Sequence, residues 1–181
     1  MYQTDLLKGL LSVLGDDLSL SLTKYGDKVT SLKVKNGSVS VDYVLSDLSV
    51  IADPPPLKRL PEFGTELELD SKFIETFIKG KSALPDVDIF TIVTTGDRLD
   101  VVIGHSSTNN TNRVNIPVKV KTQDLTKSVT FNANLFKEIL LANKECKSAI
   151  LEVSNEGLAR INFKVDDYDS TYHIVAMHTS S

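Results

Sequence analysis

Tryptophan is absent from this 181-residue chain, cysteine occurs once (Cys146), and aromatic residues make up only 7%. A lone cysteine excludes an internal disulfide and fits a reducing compartment. No apolar run approaches the about 20 residues that a membrane-spanning helix needs. Met1-Tyr2-Gln3-Thr4-Asp5 has no basic stretch leading into an apolar one, so no secretory signal is read there. A soluble intracellular protein is expected. Charge of one sign is scarce too: 20 Lys+Arg stand against 24 Asp+Glu, a net charge of −4. Any basic surface must therefore be local. Gly-rich phosphate loops, Cys/His metal spacings and nucleophile elbows are missing, and His105, His173 and His178 are scattered. No enzyme, metal or cofactor is expected.

What is present is repetition. A six-residue helical pattern, apolar-apolar-polar-polar-apolar-apolar, occurs at Leu6–Leu11, Phe73–Ile78 and Leu135–Leu140, at offsets of about 67 and 62 residues. Each copy is followed by a turn glycine (Gly26, Gly96, Gly157) between alternating apolar residues. In the first copy, Thr4 or Asp5 caps a helix expected to reach Leu14. Three antiparallel strands follow, the second and third turning at Asn36-Gly37, a hairpin signal.

Residues 51–63 differ: Pro54, Pro55, Pro56 and Pro61 favour an extended path over helix or central strand. This is a linker, either a plain connector or one that also offers Leu57, Leu60 and Phe63 to a partner. The second copy then opens with a strand, Thr65–Leu69, and a helix capped by Asp70 or Ser71. Strands are expected over Val87–Thr94, Leu99–His105 and Arg113–Val120, with a polar loop at Ser106–Asn112. The third copy repeats the order: strand Ser128–Phe131, helix Leu135–Asn143 capped by Asn132 or Asn134, then Ala149–Val153, Leu158–Phe163 and Thr171–Met177. The fold class is α+β, built of three β-α-β-β-β units of which the first lacks its opening strand. The expected divisions are a half domain at 1–50, the linker at 51–63 and a complete domain at 64–181.

Each helix packs one apolar stripe and leaves the other face to water. The second is expected to expose Lys72 and Lys79, the third Asn134, Lys137 and Lys144, and the first Asp5, Lys8 and Ser12. Lys8 and Lys137 share a slot of the pattern. These lysines are either ordinary solvated surface or, if the helices point one way, a weakly positive strip.

Paired β-α-β-β-β units with lysines on the outer helix face resemble the DNA sliding clamp. Tyr2-Gln3-Thr4-Asp5-Leu6-Leu7-Lys8-Gly9-Leu10-Leu11-Ser12-Val13-Leu14-Gly15-Asp16-Asp17 is similar to a segment of the first domain of T-even phage polymerase processivity clamps. Ile51-Ala52-Asp53-Pro54-Pro55-Pro56 resembles their inter-domain link, and Tyr172-His173-Ile174-Val175-Ala176-Met177 their C-terminal strand. The resemblance runs through the whole chain in order. It implies a DNA-clamp fold with helices on one face of antiparallel sheets, and a processivity factor that encircles double-stranded DNA and tethers a DNA polymerase. It further implies a clamp loader, a ring-forming homo-oligomer and, for a phage protein, the cytoplasm of an infected host cell. Lys8, Lys72, Lys79, Lys137 and Lys144 would face the DNA, and Leu57, Leu60, Val175 and Met177 would receive a partner peptide. Such a protomer has four units where this chain has three, so the first half of the N-terminal domain is expected to be missing. The chain is then a fragment of a longer reading frame, or a homologue whose half domains pair about a two-fold axis.

Two other readings stand beside it. One is a viral structural or assembly oligomer that uses the same repeat without a DNA role. The other is a hydrolase built on Asp166, Asp167 and His173, although acidic clusters in turns are usually just solvated.

Overall fold

The computed structural model describes residues 4–50, 59–95, 98–106, 111–165 and 167–177. The chain divides into two compact units, Met1–Lys58 and Arg59–Ser181.

In the first unit, α1 (Thr4–Leu11) precedes an antiparallel meander of β1 (Ser19–Tyr25), β2 (Lys28–Asn36) and β3 (Val39–Val44), in the order β1-β2-β3. The β2–β3 hairpin turns at Gly37, whose φ of 56° suits a residue without Cβ. A short 3-10 turn, Leu48–Val50, follows. The helix stops at Leu11, one turn earlier than the pattern predicts, and the backbone continues in turns to Leu14. Leu14 is buried there, and the Asn36 side chain donates a hydrogen bond to its carbonyl. That contact draws the chain off the helical path.

The second unit runs β4 (Thr65–Asp70), α2 (Ser71–Ala83), β5 (Ile89–Thr95), β6 (Arg98–Ile103), β7 (Val114–Pro117) and β8 (Lys119–Thr122). It continues with β9 (Val129–Asn132), α3 (Ala133–Ala142), β10 (Ser148–Val153), β11 (Leu158–Val165) and β12 (Tyr168–Val175). Asp70 caps α2 by accepting from the Phe73 N–H, and Asn132 caps α3 by accepting from the Leu135 N–H, 2.8 Å each. The turn expected at Gly96 and the loop tip at 107–110 lie outside the described residues.

The two repeats of this unit exchange their lead-in strands. One sheet is β7-β6-β5-β9 and the other β12-β11-β10-β4-β8. Thus β4, which precedes α2, pairs with β10 of the following repeat, while β9, which precedes α3, pairs with β5 of the preceding one. Between them lies the core, with α2 packed on α3. Its centre is aromatic: the Phe77 and Phe136 rings meet edge-on at 4.8 Å, and Phe90 stacks on Phe136 at 4.7 Å. Burying each such ring contributes about 1.5–3 kcal/mol, and each aromatic pair about 0.5–1.5 more.

The strand expected over Arg113–Val120 is in fact two. Ile116 pairs with Val101 in one sheet, and Val120 with Leu67 in the other. Pro117 has no N–H with which to continue the first ladder, and the chain changes sheets just after it.

Candidate nucleic-acid interface and partner surface

Side-chain burial on α2 follows helical phase. Phe73, Ile74, Phe77, Gly80 and Lys81 point inward, leaving Lys72, Glu75 and Lys79 in one exposed stripe. Lys79 is not a free cation, since its Nζ lies 2.5 Å from Glu75 Oε1, one helical turn away. That ion pair holds the Glu75 carboxyl below its ordinary pKa. Among the described residues, Lys8, Lys72, Lys137 and Lys144 have no ion-pair partner.

On α3 the phase differs from expectation. Phe136, Ile139 and Leu140 are buried, so the centre of the exposed face is Asn134, Glu138 and Leu141. Lys137 sits on its flank, half-buried, and Lys144 lies in the turn beyond the C-cap Asn143. Because α2 packs on α3, Lys72, Lys79 and Lys137 belong to one two-helix layer, diluted by Glu75 and Glu138. Lys8 is exposed on α1 of the other unit.

A lysine absent from the expected set is buried. Lys81 Nζ donates to the carbonyls of Leu84, at 3.2 Å, and Pro85, at 2.9 Å, satisfying backbone acceptors at and just past the C-cap of α2. Its position on the inward stripe, 100° of helical turn from Gly80, was the available signal.

Of the proposed peptide-binding residues, Leu57 lies outside the described residues. Leu60, Val175 and Met177 are exposed, and none belongs to the core. Val175 ends β12. Just beyond it the Met177 N–H donates to the Thr130 carbonyl at 2.8 Å, tying the chain's return to β9. A shallow groove of about 540 Å³ lies elsewhere, across the outer face of the five-stranded sheet, lined by Lys121, Ser148, Asn162, Lys164 and Thr171 among others.

That outer face also carries a polar network unforeseen from sequence. Glu152 receives two bonds from Arg160, at 2.6 and 2.7 Å, and a third from Asn162 at 2.7 Å; Thr171 donates to Asn162. Arg160 in turn lies 4.6 Å from the centre of the Phe63 ring, holding the segment that leads into β4. The Arg160 bonds hold Glu152 below the ordinary glutamate range. The signal was the hairpin: a turn centred near Glu156 sets Glu152 opposite Arg160.

The residues of the hydrolase reading form no catalytic group. Asp166 lies outside the described residues, Asp167 is in a turn, and His173 faces Arg160 across the sheet. Among the described residues no group of three or more His, Cys, Asp or Glu could hold a metal ion. Cys146 is buried, its thiol donating to the Ser148 carbonyl. No helix among the described residues is long and apolar enough to cross a membrane.

No protein-family model matches the chain, and no curated protein does. Among solved structures it is similar to the proliferating cellular nuclear antigen from Entamoeba histolytica, with a TM-score of 0.66 and 14% sequence identity, covering 96% of this chain and 70% of that one. With exchanged lead-in strands, paired helices and antiparallel sheets, the chain has the DNA-clamp fold.

Proposed function

We propose that this chain is a DNA sliding clamp of the T-even phage type, a processivity factor that encircles duplex DNA and tethers a polymerase. The observation that carries this reading is an exposed, lysine-bearing helix layer on a clamp fold. A ring that must slide needs long-range attraction to phosphates without tight directional contacts. Unpaired, solvated lysines such as Lys72, spaced among carboxylates, meet that demand on a protein of net negative charge. Lys8, Lys72, Lys79, Lys137 and Lys144 are assigned to the DNA side, with Lys72 the strongest contributor and the flanking Lys137 a weaker one. The half domain at 1–50, the linker at 51–63 and the domain at 64–181 are the working divisions. A polymerase and a clamp loader would dock through short apolar peptides at Leu57, Leu60, Val175 and Met177. Tethering raises the polymerase's effective concentration at the primer end, so no bond-making step is required of the clamp. Assembly as a homo-oligomeric ring and action in the cytoplasm of an infected cell belong to the same reading.

Primer extension by a phage-type replicative polymerase tests it. The chain is expected to lengthen products, and Lys72→Glu with Lys79→Glu to shorten them again, most at low salt. Product lengths unaffected by those changes at every salt concentration would overturn the DNA-facing assignment.

The second reading, a viral assembly oligomer without a DNA role, draws on α3, where Glu138 and Leu141 rather than lysine hold the centre of the exposed face. Under it, the chain leaves polymerase products unchanged.

A further inference from the structure

The chain enters β4 through a short segment that is held from two sides. On one side, a Cβ at Gly64 would come within 2.7 Å of the Asp124 Cβ, so the backbones pass closely there. The Thr65 hydroxyl accepts from the Asp124 N–H at 2.9 Å. Asn155, in the β10–β11 turn, anchors that loop in turn. Its amide donates to the Asp124 carbonyl, and its oxygen accepts from the Thr126 N–H.

On the other side, the Arg160 guanidinium lies over the Phe63 ring. Both of its bonds to Glu152 run along the edge of the planar fork, which leaves a flat, immobile face to carry a ring. His173, opposite Arg160 in register, adds nothing to this hold: its Nε2 is shut off from water and has no hydrogen-bond partner among the described residues. The seat of the segment on this face therefore depends on the Phe63–Arg160 stack.

Strand alternation says what the stack positions. Cross-strand partners share a face, so Arg160 and His173 both look outward, as do Leu158 and Val175 in the next row. Along the strand that row is about 7 Å away, and its Val175 is 73% exposed. Leu60, three residues before Phe63, is exposed as well. Pro61 locks one backbone dihedral between them, so holding Phe63 restricts where Leu60 can stand.

We propose that Arg160 is a positioning residue for the partner surface, holding Leu60, through Phe63, over the sheet face that carries Val175. A segment already in place spares an incoming apolar peptide the cost of ordering it. This role rests on the partner-peptide reading above and is independent of the lysines.

NMR order parameters of the chain alone, with primer extension titrated against a phage-type replicative polymerase, test it. Backbone order at Glu62, Phe63 and Gly64 should fall from about 0.85 to below about 0.6 in Phe63→Ala and in Arg160→Met. The first of these leaves the Arg160–Glu152 bonds in place, so it decides even if the second folds poorly. Both variants should raise the half-saturating polymerase concentration about tenfold, with product length at saturation unchanged. Phe63→Tyr, which keeps a ring over Arg160, should behave as the unmodified chain. Unchanged order in Phe63→Ala would overturn the proposal alone, as would a loosened segment with unchanged half-saturation. An unmodified chain that lengthens no product would overturn the clamp reading, and the proposal with it.

Discussion

In residues 59–181 the first strand after each helix is buried among aromatic and aliphatic side chains; in residues 4–50 the equivalent strand is exposed along its whole length. The helical pattern is nearly the same in both regions, and so is the order of the strands that follow. What differs is company. Phe77, Phe90, Phe131 and Phe136 come from both repeats of the second unit and make one cluster. The described residues of the first unit contain a single repeat, and its fully or nearly buried apolar side chains are Leu14 and Val34. One amphipathic helix on a three-stranded sheet buries little, so a clamp-type core is a property of two repeats and not of one.

The sharpest way to break this comparison is to remove matching side chains from the two regions. Phe136→Ala should cost about 3–5 kcal/mol, because it leaves a cavity against the Phe77 and Phe90 rings. Leu20→Ala, at a side chain 64% exposed, should cost within roughly 0.5 kcal/mol. Denaturant unfolding measures both, and similar losses would mean that the first unit has a core of its own.

A smaller effect separates the outer faces. Arg160→Met removes the two bonds to Glu152 and should cost about 1–2 kcal/mol, the Arg160 head being part-exposed. The loss should depend on pH. Because Glu152 is held below its ordinary value of 4.5, the pair's contribution is complete above that pH. It declines below 4.5 and disappears once pH passes under the depressed value. Urea midpoints of the two proteins should therefore converge in acid, and a gap that persists there would point to lost packing on Phe63 instead.

The smallest effect concerns the caps. Asp70→Ala should cost about 1 kcal/mol through the lost bond to the Phe73 N–H, read as a shift in the midpoint of the second unit. An unchanged midpoint would show that β4–β10 pairing alone holds the start of α2.

Much of the local structure was legible in the residues. The Asn36-Gly37 turn, the Glu156-Gly157 turn and the caps of α2 and α3 follow from side-chain chemistry within four residues. Helical phase was only half legible. The repeat pattern located the apolar stripe of α3, but how Leu135 and Lys137 divide between core and water depends on where α2 lies. The path through Pro117 shows the same limit: the proline marks an end to one ladder, and nothing local says that the next residues join a different sheet. The peptide-binding assignment had no local signature at all, since an exposed Val175 and a buried Ile174 alternate as in any strand.

By itself, then, the sequence determined the repeat, its strand and helix order, the turns and the caps, because each depends on backbone preferences and neighbours a few residues apart. Only the tertiary structure decided the exchange of β4 and β9, the division of lysines into exposed Lys72, flanking Lys137 and buried Lys81, and the uncovered edge of β1. Those depend on which apolar faces meet across distant parts of the chain. Many pairings satisfy one repeat's pattern; the packing of two repeats into a common core selects among them.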